Sequence, residues 1–319
     1  MKKNFFLITL LFISISLNAQ KDALTYSITK ENTDIKFVQG KVAVWDILIS
    51  TSRMTFSGGF GGKMYLNGLY LGLNYDYQYL DNLAEASSSE NIQGSSIYKP
   101  TKSRNGEATL GYFFQKETEG KVKIKIKSEG KTTYYAKVDA KYNRLFGLQA
   151  SYKKGFSHLT IPAGVLVQDA YITSRGTFKT EYGMTSFMQY GWISVGPTFG
   201  KVVDVEANFS EYGSRKAQFF DRFYANVIIA ANSNLEDVYM VENFGGSNQM
   251  THQYVLDGNV VMSKIGFNLG YETYKFSKFG VTAGLEIGAM PGVKISGAGN
   301  GYLLVKWGLV FGKAFGGNK

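Results

Sequence analysis

KIGFNLGYETYKFSKFGVTAGLEIG, residues 264–288, decides the fold. Ile265, Phe267, Leu269 and Tyr271 alternate with Gly266, Asn268, Gly270 and Glu272. After a break at residues 276–278, Phe279, Val281, Ala283, Leu285 and Ile287 alternate with Gly280, Thr282, Gly284, Glu286 and Gly288. Alternation with a period of two puts successive side chains on opposite faces of an extended strand. The break is short enough for a hairpin turn. The result is two antiparallel strands with one apolar face and one face of glycine and small or charged polar residues.

The same alternation runs outward in both directions. It recurs at residues 71–79, 108–114, 121–127, 132–140, 144–153, 203–209, 223–229 and 303–311. Several of these runs match the roughly 9 to 11 residues a tilted strand needs to cross a bilayer. Strands of soluble sandwiches are nearer five or six. Short turns are expected at residues 117–120, 128–131, 142–143 and 276–278, and long polar connections at 81–105, 154–183 and 232–251. The consecutive short turns around residues 121–141 suggest a hairpin standing beyond the membrane. Residues 24–65 alternate weakly, with a glycine-rich break at Gly58–Gly62 that lacks the Lys-Ser/Thr of a phosphate loop. The expected fold is all-β: a single antiparallel transmembrane β-barrel of about 12 strands, within a range of about 10 to 14. A secreted two-sheet sandwich is the runner-up.

The 319 residues contain no cysteine, two histidines, 37 glycines, 4 prolines, 22 tyrosines and 23 phenylalanines, with a formal net charge of +10. The lack of cysteine excludes disulfide frameworks and thiolate chemistry. The basic residues alternate along strands rather than forming a compact patch, so nucleic acid is not an expected partner. Lys2 and Lys3, the apolar run of residues 5–17 and Asn18-Ala19-Gln20 have the layout of a secretory signal peptide. The expected organisation is a signal peptide over residues 1–20 and one barrel domain over 21–319. No later run reaches the length of a membrane-spanning helix.

The leader with its Leu17-Asn18-Ala19-Gln20 ending, together with the amphipathic strands over residues 71–311, resembles the small outer-membrane β-barrel proteins of Bacteroidota. The resemblance implies a cell outer-membrane location and membrane lipid as a partner, and identifies no activity. The chain departs from the commonest barrel pattern in following Phe311 and Phe315 with residues 316–319 rather than ending on an aromatic.

Charge on the polar strand faces supplies the candidate site. Lys121, Lys123, Lys125, Lys127, Lys137 and Lys153 come from neighbouring strands; Asp204, Glu206, Arg222, Glu272 and Glu286 come from later ones. All are expected to line the barrel lumen. Opposed walls of this kind would give a water-filled pore with a transverse field. The alternatives are a plugged interior held by ion pairs, or a lysine face outside the membrane. Asp204 and Glu206, two apart on one face, could bind a cation or activate water, but fit better as charges answered by lysine. His158 and Thr160 faintly match a hydrolase dyad without a third partner, and His252 reads as a loop residue. Tyr75, Tyr77, Tyr79, Tyr190, Trp192, Tyr271 and Trp307 are candidates for interfacial girdles. No catalytic residue, metal or cofactor is expected. The expected function is a porin-like channel for small polar or anionic solutes. The alternatives are a non-enzymatic component of an envelope secretion or surface-attachment complex, partnered by other envelope proteins, and, behind it, a barrel hydrolase.

Overall fold

A computed structural model of the chain describes residues 25–50, 54–81, 104–161, 166–169, 177–179, 184–235, 238–243, 249–256, 261–276, 278–294 and 301–315. The expected signal peptide lies outside the described residues, as do residues 82–103 and parts of the other two long connections. All regular structure among the described residues is β. The strands are β1 (Tyr26–Glu31), β2 (Lys36–Ser50), β3 (Met54–Leu66), β4 (Leu69–Asp81), β5 (Arg104–Glu129) and β6 (Thr132–Ile161), then β7 (Leu166–Asp169), β8 (Thr177–Lys179), β9 (Met184–Phe209) and β10 (Gly213–Leu235). They continue as β11 (Val238–Asn243), β12 (Gln249–Leu256), β13 (Val261–Ser263), β14 (Ile265–Tyr274), β15 (Phe279–Ala289), β16 (Gly292–Lys294) and β17 (Gly301–Phe315).

Ten strands close a ring in the order β2-β3-β4-β5-β6-β9-β10-β14-β15-β17, with β17 returning to β2 and every pairing antiparallel. The barrel is real, with fewer strands than the twelve expected. β1 pairs with β9 but stands outside the ring. The other short strands lie in the long connections. One end of the barrel carries Asn67-Gly68 between β3 and β4, residues 130–131, residues 210–212 and the short link from β14 to β15; the link from β2 to β3, at the other end, is also short. Asn67 (φ 50°) and Gly68 (φ 90°) adopt the left-handed conformation that a two-residue hairpin turn needs. The long connections all leave from the other end. The Gly58–Gly62 run is not a break, since β3 passes straight through it, paired on both sides.

Each of the ten strands presents large apolar side chains outward. Leu148 on β6, Val195 on β9, Val227 on β10, Phe267 on β14, Leu285 on β15 and Phe60 on β3 are all exposed. Alternate residues on the same strands turn inward and are buried. β14 and β15 have 10 and 11 residues. At about 3.4 Å per residue and a tilt near 40°, they match an apolar band of about 25 Å. Tyr77, Tyr79, Tyr271 and Trp307 are exposed, as an interfacial girdle needs, whereas Tyr190 and Trp192 turn inward and stack on each other at 4.1 Å.

Two hairpins outrun the ring at the turn end. β4 stops pairing with β5 at Tyr112, and β6 parts from β9 at Asn143 and Val202. β5 and β6 nevertheless run on together to their turn, as do β9 and β10. Phase is kept: Leu110, Tyr112 and Phe114 face out in the barrel, and Val122 and Ile124 continue that face. In the projecting part, this face folds against its counterpart from the other hairpin. Val122, Ile124, Val138, Val205 and Phe209 form a second buried core. β1 takes the edge of β9 that β6 vacates, with Tyr26 opposite Phe209. In the ring, β2 and β9 are five strands apart in either direction, so the link between β1 and β2 crosses the end of the barrel.

Candidate functional site

The interior is built in layers along the barrel axis. At the turn end, inward residues on successive strands are large and apolar: Phe37, Tyr65, Tyr70, Phe113, Phe220 and Tyr274 are all nearly inaccessible. Phe37 stacks on Phe276 at 5.6 Å, and Tyr70 on Phe220 at 6.0 Å. The link from β1 to β2 runs under this layer as a strap. Asn32 donates to the Asp204 carbonyl at 3.0 Å, Asn143 donates to the Thr33 carbonyl, and Ile35 joins the aromatic layer.

Two residues further along each strand, the interior becomes polar. Glu272 accepts from Arg222 at 2.7 Å and from Lys63 at 3.3 Å, and Lys63 also reaches the Tyr274 hydroxyl. Arg222 lies 4.5 Å above the Tyr70 ring, which ties this layer to the aromatic one. It donates to Gln149 at 2.9 Å, Gln149 to Asn226 at 3.1 Å, Asn226 to Asn268 at 2.9 Å, and Asn268 to Glu286 at 3.2 Å. Tyr224 and Tyr302 donate to Glu286, and Lys306 bridges Glu286 (3.2 Å) and Glu272 (3.5 Å). Lys63, Arg222, Glu272 and Glu286 are all under 9 % exposed. Ions so far from water are stable only when each is answered by opposite charge and hydrogen bonds, and this network provides both. Its room comes from neighbouring glycines: the Tyr224 ring lies over Gly270, its cross-strand partner. Toward the loop end, a cavity of about 80 Å³ is lined by Asp46, Thr55, Asp76, Lys153, Tyr190 and Trp192 among others.

No protein-family model and no curated protein matches this chain. Among solved structures, the toluene transporter TodX of P. putida aligns over 89 % of this chain and 91 % of its own, at 7 % identity and a TM-score of 0.27. The transport unit of the autotransporter AIDA-I from Escherichia coli covers 94 % and 93 %, at 12 % identity and a TM-score of 0.21. An anion-selective porin from Comamonas acidovorans covers 91 % and 100 %, at 10 % identity and a TM-score of 0.17.

Of the eleven expected lumen residues, the structure brings Arg222, Glu272 and Glu286 into one network and sets Lys153 at the cavity. The other seven lie elsewhere. Lys121, Lys123, Lys125, Lys127 and Lys137 sit on the projecting β5–β6 hairpin, exposed or nearly so. Their face does continue the lumen-facing phase of the strand, but at a height where the barrel wall has ended. Asp204 and Glu206 also lie beyond the wall. Asp204 accepts from Asn32 (3.2 Å) and Gln218 (2.8 Å), and Glu206 pairs with Lys216 at 3.0 Å. The alternation missed Lys63, which sits behind the glycine run, and Lys41, which faces Asp46 across a bulge. Lys306 was legible on the polar face of the last strand. The side chains of His158, Thr160 and His252 are outside the described residues. Among the described residues, no group of histidine, aspartate and glutamate is arranged to hold a metal ion.

Proposed function

We propose that the chain is an integral, non-enzymatic β-barrel of a bacterial outer membrane, exported by its leader, with a porin-like conduit for small polar solutes that its own interior holds shut. The observation that carries this reading is its polarity: an apolar belt on all ten strands surrounds a charged, hydrogen-bonded interior. A water-soluble protein buries its apolar faces, whereas a barrel in lipid exposes them and keeps polar groups inside. Short turns belong on the periplasmic side and long loops outside, and on this reading β1, the end of β17, the strap and the projecting hairpins face the periplasm. A solute would have to displace the aromatic layer and the strap beneath it. The proposal carries no anion preference, because the lysine row expected to supply it stands outside the interior.

Planar-bilayer recording tests this. The wild-type protein is expected to stay closed, with brief openings. Deleting residues 25–35 should raise conductance, and so should Tyr70→Ala combined with Phe220→Ala. A cysteine pair at Tyr26 and Phe209 pins β1 to β9, and should abolish openings when oxidised and restore them when reduced. No conductance from any folded variant would sink the conduit. The second reading, a fixed component of an envelope assembly, would then stand. The projecting hairpins favour it, because a simple pore has no use for them.

A further inference from the structure

We infer that the outer edge of β5 in the projecting hairpin docks an extended, acidic polypeptide segment by strand addition. The inference rests on the reading that this hairpin lies in the periplasm. The edge is open over a long stretch. β4 leaves β5 at Tyr112, and β5 continues to Glu129 with β6 on its other side only. Among the described residues, no strand covers that edge. Such an edge is a row of backbone donors and acceptors ready for a further strand. The hairpin is held rigid from behind by its buried Val122, Ile124 and Val138, so the docking strand is preformed.

Charge selects the occupant. Lys121, Lys123 and Lys125 recur at every second position, about 6.6 to 7 Å apart. Lys137 is the direct cross-strand neighbour of Lys123, a like-charge contact that works against the hairpin. Lys121 reaches Asp139 only at 3.9 Å, and Lys123, Lys125 and Lys137 form no ion pair among the described residues. An extended segment with Asp or Glu at alternate positions repeats at the same interval, so its carboxylates would answer the row one by one while its backbone completes the ladder. The long connections of this chain leave from the opposite end of the barrel, and the proposed occupant is a segment of a separate envelope protein.

Edge lysines also serve in other proteins to repel strands, and a basic face could instead rest on anionic lipid. The test separates these. The full-length protein in detergent micelles is titrated with the synthetic peptide (Glu-Thr)6, with the same peptide N-methylated throughout, with (Lys-Thr)6, and with phosphatidylglycerol vesicles. The unshifted electrophoretic band of unheated protein confirms a folded barrel in every sample, so loss of that band would count against the barrel reading and not against this one. Expected is binding of (Glu-Thr)6 alone, weakened about tenfold or more when Lys121, Lys123, Lys125 and Lys137 are all changed to Gln, and weakened by salt as the screening length falls below about 8 Å. Equal binding of the N-methylated peptide would overturn strand addition. Binding to vesicles but not to peptide would assign the face to lipid. Unchanged or tighter peptide binding by the Gln variant, or its self-association, would show that the lysines repel partners.

Discussion

Gly270 is bare because the Tyr224 ring occupies the place of its side chain. A Cβ there would fall 2.2 Å from the ring. Gly270→Ala must push Tyr224 off Glu286 and is expected to destabilise the barrel by about 1–3 kcal/mol. Urea unfolding checks this, and adding Tyr224→Ala should recover part of the loss. Glu272 is the hub of the interior. Glu272→Ala leaves Lys63 and Arg222 without their carboxylate, a loss of about 3–5 kcal/mol, whereas a volume-matched apolar replacement of the whole cluster could be neutral. In the projecting sheet, the Ser214 hydroxyl and Lys216 hold the Glu206 carboxyl below its ordinary value of 4.5. A carboxyl depressed by folding stabilises above its unfolded value, and the contribution is lost as pH falls through the lower folded one. Ser214→Ala should therefore cost stability at neutral pH and make less difference in acid, read as a shrinking gap in melting temperature. Arg222, Glu272 and Glu286 were legible because period two fixes the face of a residue. It says nothing of height along the strand, and for that reason the lysines of residues 121–127 were assigned to the right face at the wrong level.

At the scale of elements, β5 and β6 are single strands of 26 and 30 residues, which alternation read as several shorter ones around extra turns. One continuous apolar face serves two environments, the exterior belt and then the hairpin core, without any change of pattern. Residues 24–65 resisted reading for a different reason. A bulge between Ala43 and Asp46 exposes both Val44 and Trp45, which breaks the alternation for a legitimate structural cause. Just beyond that stretch, Asn67-Gly68, a dipeptide typical of two-residue hairpins, forms the β3–β4 turn. Ile124 is fully buried between the hairpins. Ile124→Ala is expected to loosen the projecting module by about 2–5 kcal/mol. Trypsin should then cut at the lysines of residues 121–127 while the barrel keeps its unheated mobility; equal resistance of variant and wild type would deny that this core holds the hairpins.

For the molecule as a whole, closure of the ring removes the two-sheet sandwich, and it does so through pairings that adjacent sequence could not reveal. The ten strands fall at the lower bound of the expected range of 10 to 14, below the favoured twelve, because long projecting strands were counted more than once. A protein with this exterior should require detergent, migrate faster before boiling than after, and lose that difference when the ring is opened. Deleting residues 301–315 should abolish it. A chain that stays dispersed in plain buffer would contradict the membrane reading.

The β17–β2 seam has a consequence for the order of assembly. Phe315 meets Lys36, and Trp307 meets Trp45, across nearly the entire length of the chain. Most other wall contacts join strands that follow one another closely. Hairpins form on microsecond timescales, whereas a contact spanning so much sequence has to await everything between. The wall is therefore expected to grow as an open sheet with two sticky margins, zipping the first margin to the final one as its last step. Until then, an intermediate with an apolar surface and free edges would aggregate in water. On the membrane reading proposed above, transit to the bilayer is expected to need an escort, and in a test tube the slowest refolding phase should be the one that brings Trp45 against Trp307.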